Sequence, residues 1–365
     1  MTVFTEAALP GRIHVIGAGL IGTSVALAAR RAGVQVSVED VDSNHEQLAA
    51  QRWGSVSTLD TSPSAEPEIV LVATPPQVAA EVLASASSRW PDATLTDVSS
   101  VKVRPLQEAI NLGADPRRLV GGHPMAGGEM SGPAAAHAHL FDDRVWVLCP
   151  TPESDPGRVT QLENLVGACG AVVLIMQPHT HDHAVALTSH VPQVMSSILA
   201  GALVNADVES LRLVGQGLRD MTRIASSNPA MWTEILEMNG TEIAPVLEYV
   251  MAEIMSLARS LTGDEVAKVN IDRTLRLGVA GRDRIPGKHG AAEREFATVT
   301  VQVKDEPGQL ADLFVAAGRL GVNLEDVRIE HVLGRPSGLI DLYVRPQLAT
   351  VLMSGLTEQG FDLRS

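Results

Sequence analysis

The sequence predicts an α/β protein built in three parts. Strand-like and helix-like segments alternate over residues 1–178, as they do in a doubly wound sheet with helices on both faces. Residues 179–280 keep helical apolar periodicity and contain few strand-like runs, which predicts an all-α region. A glycine-rich, basic stretch at 281–293 is interpreted as a linker, and 294–365 follow the βαββαβ order of a small ferredoxin-like domain. A chain of 365 residues exceeds what one core usually supports, which agrees with this division.

The composition restricts the partners and the location. The 28 basic and 43 acidic side chains give a net charge of −15, which argues against nucleic acid or an anionic membrane as main partner. Cys149 and Cys169 have neither metal-type nor redox-type spacing, so both are interpreted as reduced core residues of a cytoplasmic protein. The first residues lack the pattern of an export signal. The most apolar stretch, 184–204, contains His190, Pro192 and Gln193, which favours a helix buried in protein over a membrane span.

A glycine turn near the N-terminus predicts a dinucleotide site. A short β-type run at 12–16 leads directly into glycines at GxGxxG spacing and then into a helical pattern. In this context the glycines permit a tight turn, the approach of a pyrophosphate and close packing of helix on strand. The residues expected to face the cofactor here are Gly17, Gly19, Leu20, Ile21 and Gly22.

An acidic group after the second strand indicates which dinucleotide binds. The β-type run at 34–38 ends in Glu39, Asp40 and Asp42, and Asp40 lies near the expected offset of about twenty residues. A carboxylate there accepts hydrogen bonds from the ribose hydroxyls and repels a 2′-phosphate, so NAD is predicted. Glu39 and Asp42 are alternative ribose partners, and a solvated strand end is the alternative without a ligand.

The next two strands place polar residues at the same edge of the sheet. Runs at 68–74 and 93–98 are interpreted as strands, and ligands in such sheets bind beyond the carboxyl ends of the strands. The residues predicted to line the cofactor side of this crevice are Thr74, Pro75, Asp97, Ser99 and Ser100.

A glycine-rich segment at 121–132 follows and contains one imidazole, His123, and one carboxylate, Glu129. It is interpreted as a loop whose glycines approach a ligand closely or adopt positive φ. A plain turn with a solvated histidine is the alternative.

The histidines at 179–183 suggest a possible metal site. We predict no metal, because no second cluster supplies further ligands and polar residues are common where helices begin.

Five separated blocks resemble the prephenate dehydrogenase family, and the C-terminal module resembles an ACT regulatory domain. The resemblance covers nearly the whole chain. It implies oxidation of prephenate with NAD, release of carbon dioxide and formation of 4-hydroxyphenylpyruvate, the precursor of tyrosine. The blocks are residues 17–22, 97–102, 121–132, 189–192 and 217–225, the last followed by 229–232.

The resemblance implies catalytic roles for His123 and Ser100. Loss of hydride from the carbinol carbon requires that the hydroxyl proton be drawn off, and imidazole is suited to accept it near neutral pH. His123 matches this base, and Ser100 matches the residue that assists it. Ser100 also has a structural alternative, since it precedes a predicted helix near Val103 and serine often caps helices.

The resemblance implies that Arg223 binds the departing carboxylate through two parallel hydrogen bonds from its planar guanidinium group. Lys102 is either a second cation for the substrate carboxylates or an exposed residue at a helix start. Asp220 is expected to position Arg223, and Trp232 to pack on the substrate ring or to be core. The further implied substrate residues are Glu129, near the pyruvyl side chain, His190 and Gln193.

Gln193 departs from the pattern, because several family members carry histidine there. A neutral amide cannot change charge as an imidazole does. Arogenate, which has an amino acid side chain in place of the pyruvyl group, is therefore the alternative substrate.

The ACT-like module implies an end-product effector, tyrosine, with a purely structural or dimerising module as the alternative. The implied effector residues are Asp305, Pro307, Gly308 and Asn323. The apolar helices from residue 184 onward also predict a homodimer.

Two other functions compete with this one. β-Hydroxy acid dehydrogenases commonly place a catalytic lysine on the long helix of the second domain, but Lys268 is the only lysine from 179 to 276. A non-catalytic amino acid sensor would bind tyrosine without forming NADH, and the presence of Ser100, His123 and Arg223 argues against it.

Overall fold

The computed structural model describes residues 9–52, 66–128, 130, 132–261, 265–285, 296–331 and 337–364. By their contacts they divide into two compact units, Met1–Val250 and Met251–Ser365. The predicted domain limits at 178, 280 and 293 stay predictions. In the described residues, no helix combines the length and the apolar character needed to cross a membrane.

The first unit begins with alternating strands and helices. They are β1 (Arg12–Ile16), α1 (Leu20–Arg31), β2 (Gln35–Glu39), α2 (Ser43–Gln51), β3 (Ile69–Val72), α3 (Pro76–Arg89), β4 (Thr94–Asp97), α4 (Val103–Asn111), β5 (Val120–Pro124), β6 (Val145–Pro150), α5 (Pro156–Ala168) and β7 (Val172–Ile175).

Strands β1 to β4 form a parallel sheet in the order β2-β1-β3-β4. Every residue of β3 and β4 is buried. Alternate side chains enter two apolar clusters on the two faces, one containing Ile69 and Leu71 and the other Val70 and Val72. Because β2 and β3 lie on opposite sides of β1, the order reverses beside β1, which is where such sheets bind ligands. The predicted doubly wound sheet is confirmed.

A second sheet, β5-β6-β7, continues from β4 through a bridge between Leu95 and Leu119. Its first strand, β5, contains His123, so the loop predicted for 121–132 is wrong for its first residues. Gly121 and Gly122 have no positive φ. They are needed for packing, since a Cβ on Gly122 would lie 2.5 Å from the carbonyl oxygen of Asp97.

Helices fill the rest of the first unit and the beginning of the second. A π-helical turn at Ala186–His190 and a 3₁₀ turn at Arg223–Ser226 interrupt them. The helices are α6 (Pro178–Val185), α7 (Val191–Gly201), α8 (Val208–Leu211), α9 (Gln216–Thr222), α10 (Pro229–Met238), α11 (Gly240–Ser260) and α12 (Glu265–Arg282).

Helix α12 extends into the predicted linker. The glycine-rich run from residue 278 remains helical as far as Arg282, so the prediction of a linker is wrong for 281 and 282. A glycine costs a helix only about 1 kcal/mol relative to alanine, which is too little to end a helix of 18 residues. The predicted linker from residue 286 onward lies outside the described residues.

The second unit ends in an antiparallel sheet in the order β11-β8-β10-β9, with two helices. The observed succession of strands and helices matches the predicted βαββαβ order, and one apolar cluster joins sheet and helices. The elements are β8 (Ala297–Lys304), α13 (Gln309–Arg319), β9 (Asp326–His331), β10 (Ser337–Val344), α14 (Pro346–Glu358) and β11 (Asp362–Arg364).

The two cysteines are core residues, as predicted. Cys149 and Cys169 are buried and unpaired, and burial raises the pKa of each thiol to about 12. Neither thiol is therefore a reactive thiolate at neutral pH.

A buried ion pair joins β4 to β5. The ammonium group of Lys102 and the carboxylate of Asp97 are both fully buried and in contact. Lys102 Nζ also donates to the carbonyl of Gly122 at 2.6 Å, and Asp97 accepts from the N–H of Gly122 at 3.1 Å and of Ser99 at 3.0 Å. Both backbone groups of the residue before His123 are thus held by this pair.

We expect Lys102→Met to lower the free energy of unfolding of the first unit by about 3–5 kcal/mol, because it leaves a buried carboxylate unpaired. All four tryptophans precede residue 251, so tryptophan fluorescence in urea follows this unit alone. Arg104→Met is the control, since it removes an exposed pair with Glu108 and should cost less than about 1 kcal/mol. Equal effects of the two variants would contradict a structural role for the buried pair.

Candidate active site

The glycine turn between β1 and α1 has the geometry of a dinucleotide site. Gly17 has a φ of 107°, and a Cβ there would collide with the backbone of Ala73. A Cβ on Gly22 would collide with the carbonyl oxygen of Gly17, so this glycine allows the helix to lie close to the strand. Gly19, in contrast, faces open space, with nothing within 4 Å of an added Cβ. A pyrophosphate can approach the backbone at that point.

The beginning of α1 also suits an anion. Gly19 caps the helix without any side-chain hydrogen bond, and the first turn contains no acidic residue. The free N–H groups at a helix N-terminus, together with the helix dipole, favour a phosphate. Leu20 and Ile21, the next two predicted cofactor residues, are partly exposed here.

Asp40 is the acidic residue that faces the glycine turn. Its carboxylate accepts from the N–H of Ala18 at 2.6 Å. Glu39 instead pairs with His14 and Arg89, and these contacts lower the pKa of its carboxyl group, the hydrogen bond from His14 most. Asp42 caps α2 by accepting from Asn44. Of the three acids considered for the ribose, Asp40 is the one whose carboxylate contacts the glycine turn, and its role toward NAD stays a prediction.

Two buried hydroxyl groups lie at the carboxyl ends of the central strands. In the described part of the chain, Thr74 Oγ1 after β3 and Ser99 Oγ after β4 have no hydrogen-bond partner. Buried hydroxyl groups are rarely left without partners unless a ligand or water supplies one. Pro75, between Thr74 and α3, is exposed. These positions fit the predicted cofactor side of the crevice.

His123 lies on β5, next to Gly122, which the buried ion pair of Asp97 and Lys102 holds. The imidazole of His123 remains partly exposed. The segment that follows reaches α1, because an added Cβ on Gly128 would lie 3.6 Å from Leu20 Cδ2. Leu119 pairs with Leu95 in parallel, so β5 runs in the same direction as β4, and His123 lies at the carboxyl edge of the sheet, where β1 also ends in the glycine turn. Burial lowers the pKa of His123 well below 6.5, and His181, Lys102 and His190 lower it further. The ring is neutral at physiological pH.

Sequence reasoning missed two residues that contact this imidazole. His123 Nδ1 lies 2.8 Å from His181 Nε2, and His181 Nδ1 lies 2.7 Å from Asp182 Oδ1. Both new residues belong to α6 and are 1% exposed. The sequence indicated their segment only as the start of a helix or as a possible metal site. The available signal was the presence of adjacent His and Asp side chains in a segment that follows a sheet edge.

His190 is held by another residue that the sequence did not indicate. Asn239 Nδ2 donates to His190 Nδ1 at 3.0 Å and to the backbone oxygen of Asp182 at 2.9 Å. Burial lowers the pKa of His190 to about 4, so this ring is also neutral. Trp232 packs edge-on against it, with ring centroids 6.0 Å apart. His190 and Trp232 thus lie together, and the substrate roles implied for them stay predictions.

Gln193 holds a backbone turn, and Asp220 does not pair with Arg223 within the described residues. The amide of Gln193 is buried and donates to the carbonyl of Ile224 at 2.9 Å, so it holds the 3₁₀ turn that begins with Arg223. Its predicted contact with substrate stays a prediction. Asp220 accepts from Gln216 at 2.8 Å, and within the described residues no ion pair joins it to Arg223. Arg223 itself is exposed.

The predictions for Lys102 and Ser100 need correction. Lys102 is neither exposed nor directed at a ligand, because its ammonium group is used entirely inside the sheet. Ser100 does not cap α4. Asp182 does so from α6, accepting from the N–H groups of Lys102 and Val103, both at 2.8 Å. Glu129 lies outside the described residues.

The histidines at the start of α6 differ in their surroundings. His179 and His183 are exposed and pair with Glu242 at 3.3 and 3.0 Å. Within the part of the chain that the structure describes, no group of three or more His, Cys, Asp or Glu side chains is arranged to hold a metal ion. These contacts are surface ion pairs.

The predicted effector residues occupy exposed turns of the second unit. Asp305 and Pro307 precede α13, Gly308 caps it with a φ of 93°, and Asn323 precedes β9. A groove of about 650 Å³ between β8, α13 and β11 lies nearby in sequence, but none of these four residues lines it.

Comparisons with known proteins agree with this geometry. Residues 25–175 match the nucleotide-binding domain of prephenate dehydrogenase, and residues 177–275 match its dimerization domain. The chain is 32% identical over 360 residues to a probable prephenate dehydrogenase from Streptomyces niveus, which covers 96% of this chain and 99% of that relative.

Two solved structures share most of the fold. Prephenate dehydrogenase from Aquifex aeolicus, in complex with hydroxyphenyl propionate and NAD⁺, has a TM-score of 0.65 and 25% identity over 76% of this chain and 99% of its own. Arogenate dehydrogenase from Synechocystis has a TM-score of 0.62 and 28% identity over 75% of this chain and 99% of its own. Because both family domains match in order and a relative aligns over nearly the full length, the chain belongs to the prephenate dehydrogenase family.

Proposed function

We propose that this protein is a prephenate dehydrogenase that oxidises and decarboxylates prephenate to 4-hydroxyphenylpyruvate. The observation that carries the proposal is the neutral, partly exposed imidazole of His123 at the carboxyl edge of the sheet, the edge at which β1 leads into the glycine turn. A neutral imidazole can accept a hydroxyl proton, whereas an imidazolium ion cannot.

NAD is the cofactor. The family's nucleotide-binding domain and the NAD⁺ complex of the Aquifex aeolicus protein support this, and this chain has residues that fit NAD. Gly17, Gly19 and Gly22 would hold the pyrophosphate turn, and Asp40 would accept from the ribose hydroxyls. When bound, NAD⁺ accepts the hydride from the carbinol carbon of the substrate.

His123 takes the proton of the ring hydroxyl as the hydride leaves the same carbon. The bond between the ring and its carboxylate then breaks, carbon dioxide departs, and the electron pair makes the ring aromatic. His123 returns the proton to the ring oxygen, which completes the phenol and restores the neutral base. Ser100, half-buried after β4, assists by hydrogen bonding in this proposal.

Arg223 is the cation we assign to a substrate carboxylate. Its guanidinium is exposed on a turn that Gln193 fixes through the Ile224 carbonyl. A fixed turn limits the conformational freedom of the Arg223 guanidinium group. Less entropy is then lost when it forms a bidentate pair with a carboxylate, which favours binding.

Arogenate is the second candidate substrate, and one observation favours keeping it. The amide of Gln193, which stands where several family members have histidine, is used by the backbone of Ile224. Recognition of the pyruvyl side chain by a charged imidazole at this position is therefore lost. The match to Synechocystis arogenate dehydrogenase points the same way.

We also propose a homodimer formed through the helical region, in a cytoplasmic enzyme. Residues 177–275 match the family's dimerization domain. The helical region of the first unit exposes large apolar side chains. Proteins that remain monomeric rarely expose so many, so these side chains favour burial against a second subunit. They include Leu187, Ile198, Val204, Leu213 and Met221. Buried reduced cysteines are typical of cytoplasmic proteins.

Purified protein with NAD⁺ and prephenate should form NADH and carbon dioxide in equal amounts, because the oxidised ring loses its carboxylate. Absorbance of NADH and captured carbon dioxide are the measurements, with arogenate tested in parallel. A higher kcat/KM for arogenate would reverse the order of the two substrates. No NADH with either substrate would overturn the proposed function.

His123→Asn should lower kcat about 10²- to 10⁴-fold with little change in KM, since it removes the base but not the binding surface. Arg223→Ala should instead raise KM about tenfold or more, because a charge-assisted pair is lost. Steady-state kinetics with prephenate distinguish the two effects. Arg212→Ala, which removes an exposed arginine paired with Glu209, is the control and should leave both constants unchanged. The opposite pattern for His123 and Arg223 would mean that their roles are exchanged.

We further propose that tyrosine binds the ACT-like module and inhibits the enzyme. The βαββαβ order and the exposed turn at Asp305, Pro307 and Gly308 support this. Tyrosine should lower the rate at subsaturating prephenate, and Asn323→Ala should weaken inhibition without changing the rate in its absence. Glu358→Ala, at the end of α14, is the control variant. Calorimetry that detects no tyrosine binding to the full chain would contradict the proposal.

A further inference from the structure

The contacts of Asp182 define which atoms of the neighbouring histidines carry protons. Its carboxylate accepts from two backbone N–H groups at the start of α4, those of Lys102 and Val103. The positive end of a helix favours the ionised form, which can only accept hydrogen bonds. His181 Nδ1, 2.7 Å from Asp182 Oδ1, must therefore carry the proton of that hydrogen bond.

The same reasoning extends to His123. For His181 in its neutral form with the proton on Nδ1, Nε2 is unprotonated and can only accept. His123 Nδ1 lies 2.8 Å from that nitrogen and, in this arrangement, donates to it. The remaining nitrogen of His123, Nε2, then has a free lone pair. This is the atom that a proton-accepting base presents to its substrate.

We propose that His181 and Asp182 are positioning residues that hold His123 in the tautomer with Nε2 unprotonated and stabilise its protonated form during turnover. This inference rests on the proposed function, in which His123 accepts the hydroxyl proton. When His123 takes that proton, its Nδ1–H still donates to His181, and the negative charge of Asp182 acts on the new cation through the His181 ring. No net proton transfer to His181 or Asp182 is required.

The surroundings of His123 make this support necessary. His181 of α6 contacts the ring, with Asp182 behind His181, and Lys102 before α4 and His190 of the π-helical turn act on the ring electrostatically. Lys102 is paired with Asp97 at the end of β4. Burial, His181, Lys102 and His190 all lower the pKa of His123, so a protonated His123 depends on the one carboxylate that the relay connects to it.

His181 and Asp182 are themselves rigid. Both are 1% exposed, and the backbone oxygen of Asp182 accepts from the amide of Asn239 at 2.9 Å. A donor and an acceptor that are already fixed lose little entropy when they orient a neighbouring ring. The carboxylate of a catalytic triad orients its histidine in this way.

His181→Leu should lower kcat at least about 10²-fold with less than about threefold change in the KM of prephenate and NAD⁺, because the base loses its tautomer and its support. His181→Gln should recover at least about tenfold over His181→Leu, since its amide can accept from His123 and donate to Asp182. His179→Leu is the matched control on the same helix: it alters an exposed ion pair, and kcat should remain within about threefold of wild type. A kcat for His181→Leu within about threefold of wild type would overturn the proposal.

A second measurement does not depend on activity. In full-length protein labelled with ¹⁵N at the imidazole nitrogens, the spectrum assigns the His123 tautomer, with His123→Asn identifying its signals among the 11 histidines. We expect an Nδ1–H ring in wild type and a change to Nε2–H in His181→Leu. An Nε2–H ring in wild type would overturn the relay. The expected tautomer in a protein that oxidises neither prephenate nor arogenate would leave the relay standing and refute the proposed function instead. If His181→Leu does not fold, the wild-type spectrum and His181→Gln decide.

Discussion

The buried ion pair between Asp97 and Lys102 holds the backbone on both sides of the candidate active site. A buried pair is stable only if its remaining lone pairs and protons find partners. Here those partners are the N–H groups of Ser99 and Gly122 and the carbonyl of Gly122. The pair therefore acts on the backbone on either side of the site. It holds the turn after β4 and fixes the position of Gly122 on β5. His123 is the residue that follows Gly122.

A second set of contacts joins the helical region to the sheet. Asp182 caps α4 from α6, and Asn239, just after α10, holds both Asp182 and His190. Gln193 holds the turn that begins with Arg223. Each of these side chains forms a hydrogen bond with a buried or partly buried backbone group, and such groups are costly to leave without a partner. The hydrogen bonds that stabilise these helices thus also position His190 and Arg223, the residues proposed to bind the substrate.

Electrostatics in this site work against the charge of the whole protein. The chain carries −15, yet the substrate proposed for it has two carboxylates. Lys102 does not help, because Asp97 neutralises it inside the sheet. In the proposed mechanism, exposed Arg223 attracts the substrate, and the neutral rings of His123 and His190 avoid adding charge that burial would penalise. Binding and proton transfer are then assigned to different residues.

The sequence by itself determined the features that depend on neighbouring residues. The glycine turn, the acid after β2 and the βαββαβ order follow from spacing and periodicity within short windows. His123 was identified as the candidate base because its block resembles a known family.

Only the tertiary structure decided which distant segments meet. His123 and His181 are 58 residues apart, and Asp182 and Asn239 are 57 apart, so no local pattern links them. The burial of Lys102 and the packing role of Gly121 and Gly122 were missed for the same reason, since both depend on β5 lying beside β4. Periodicity reports the face on which a residue lies, whereas hydrogen-bond partners depend on how the elements pack.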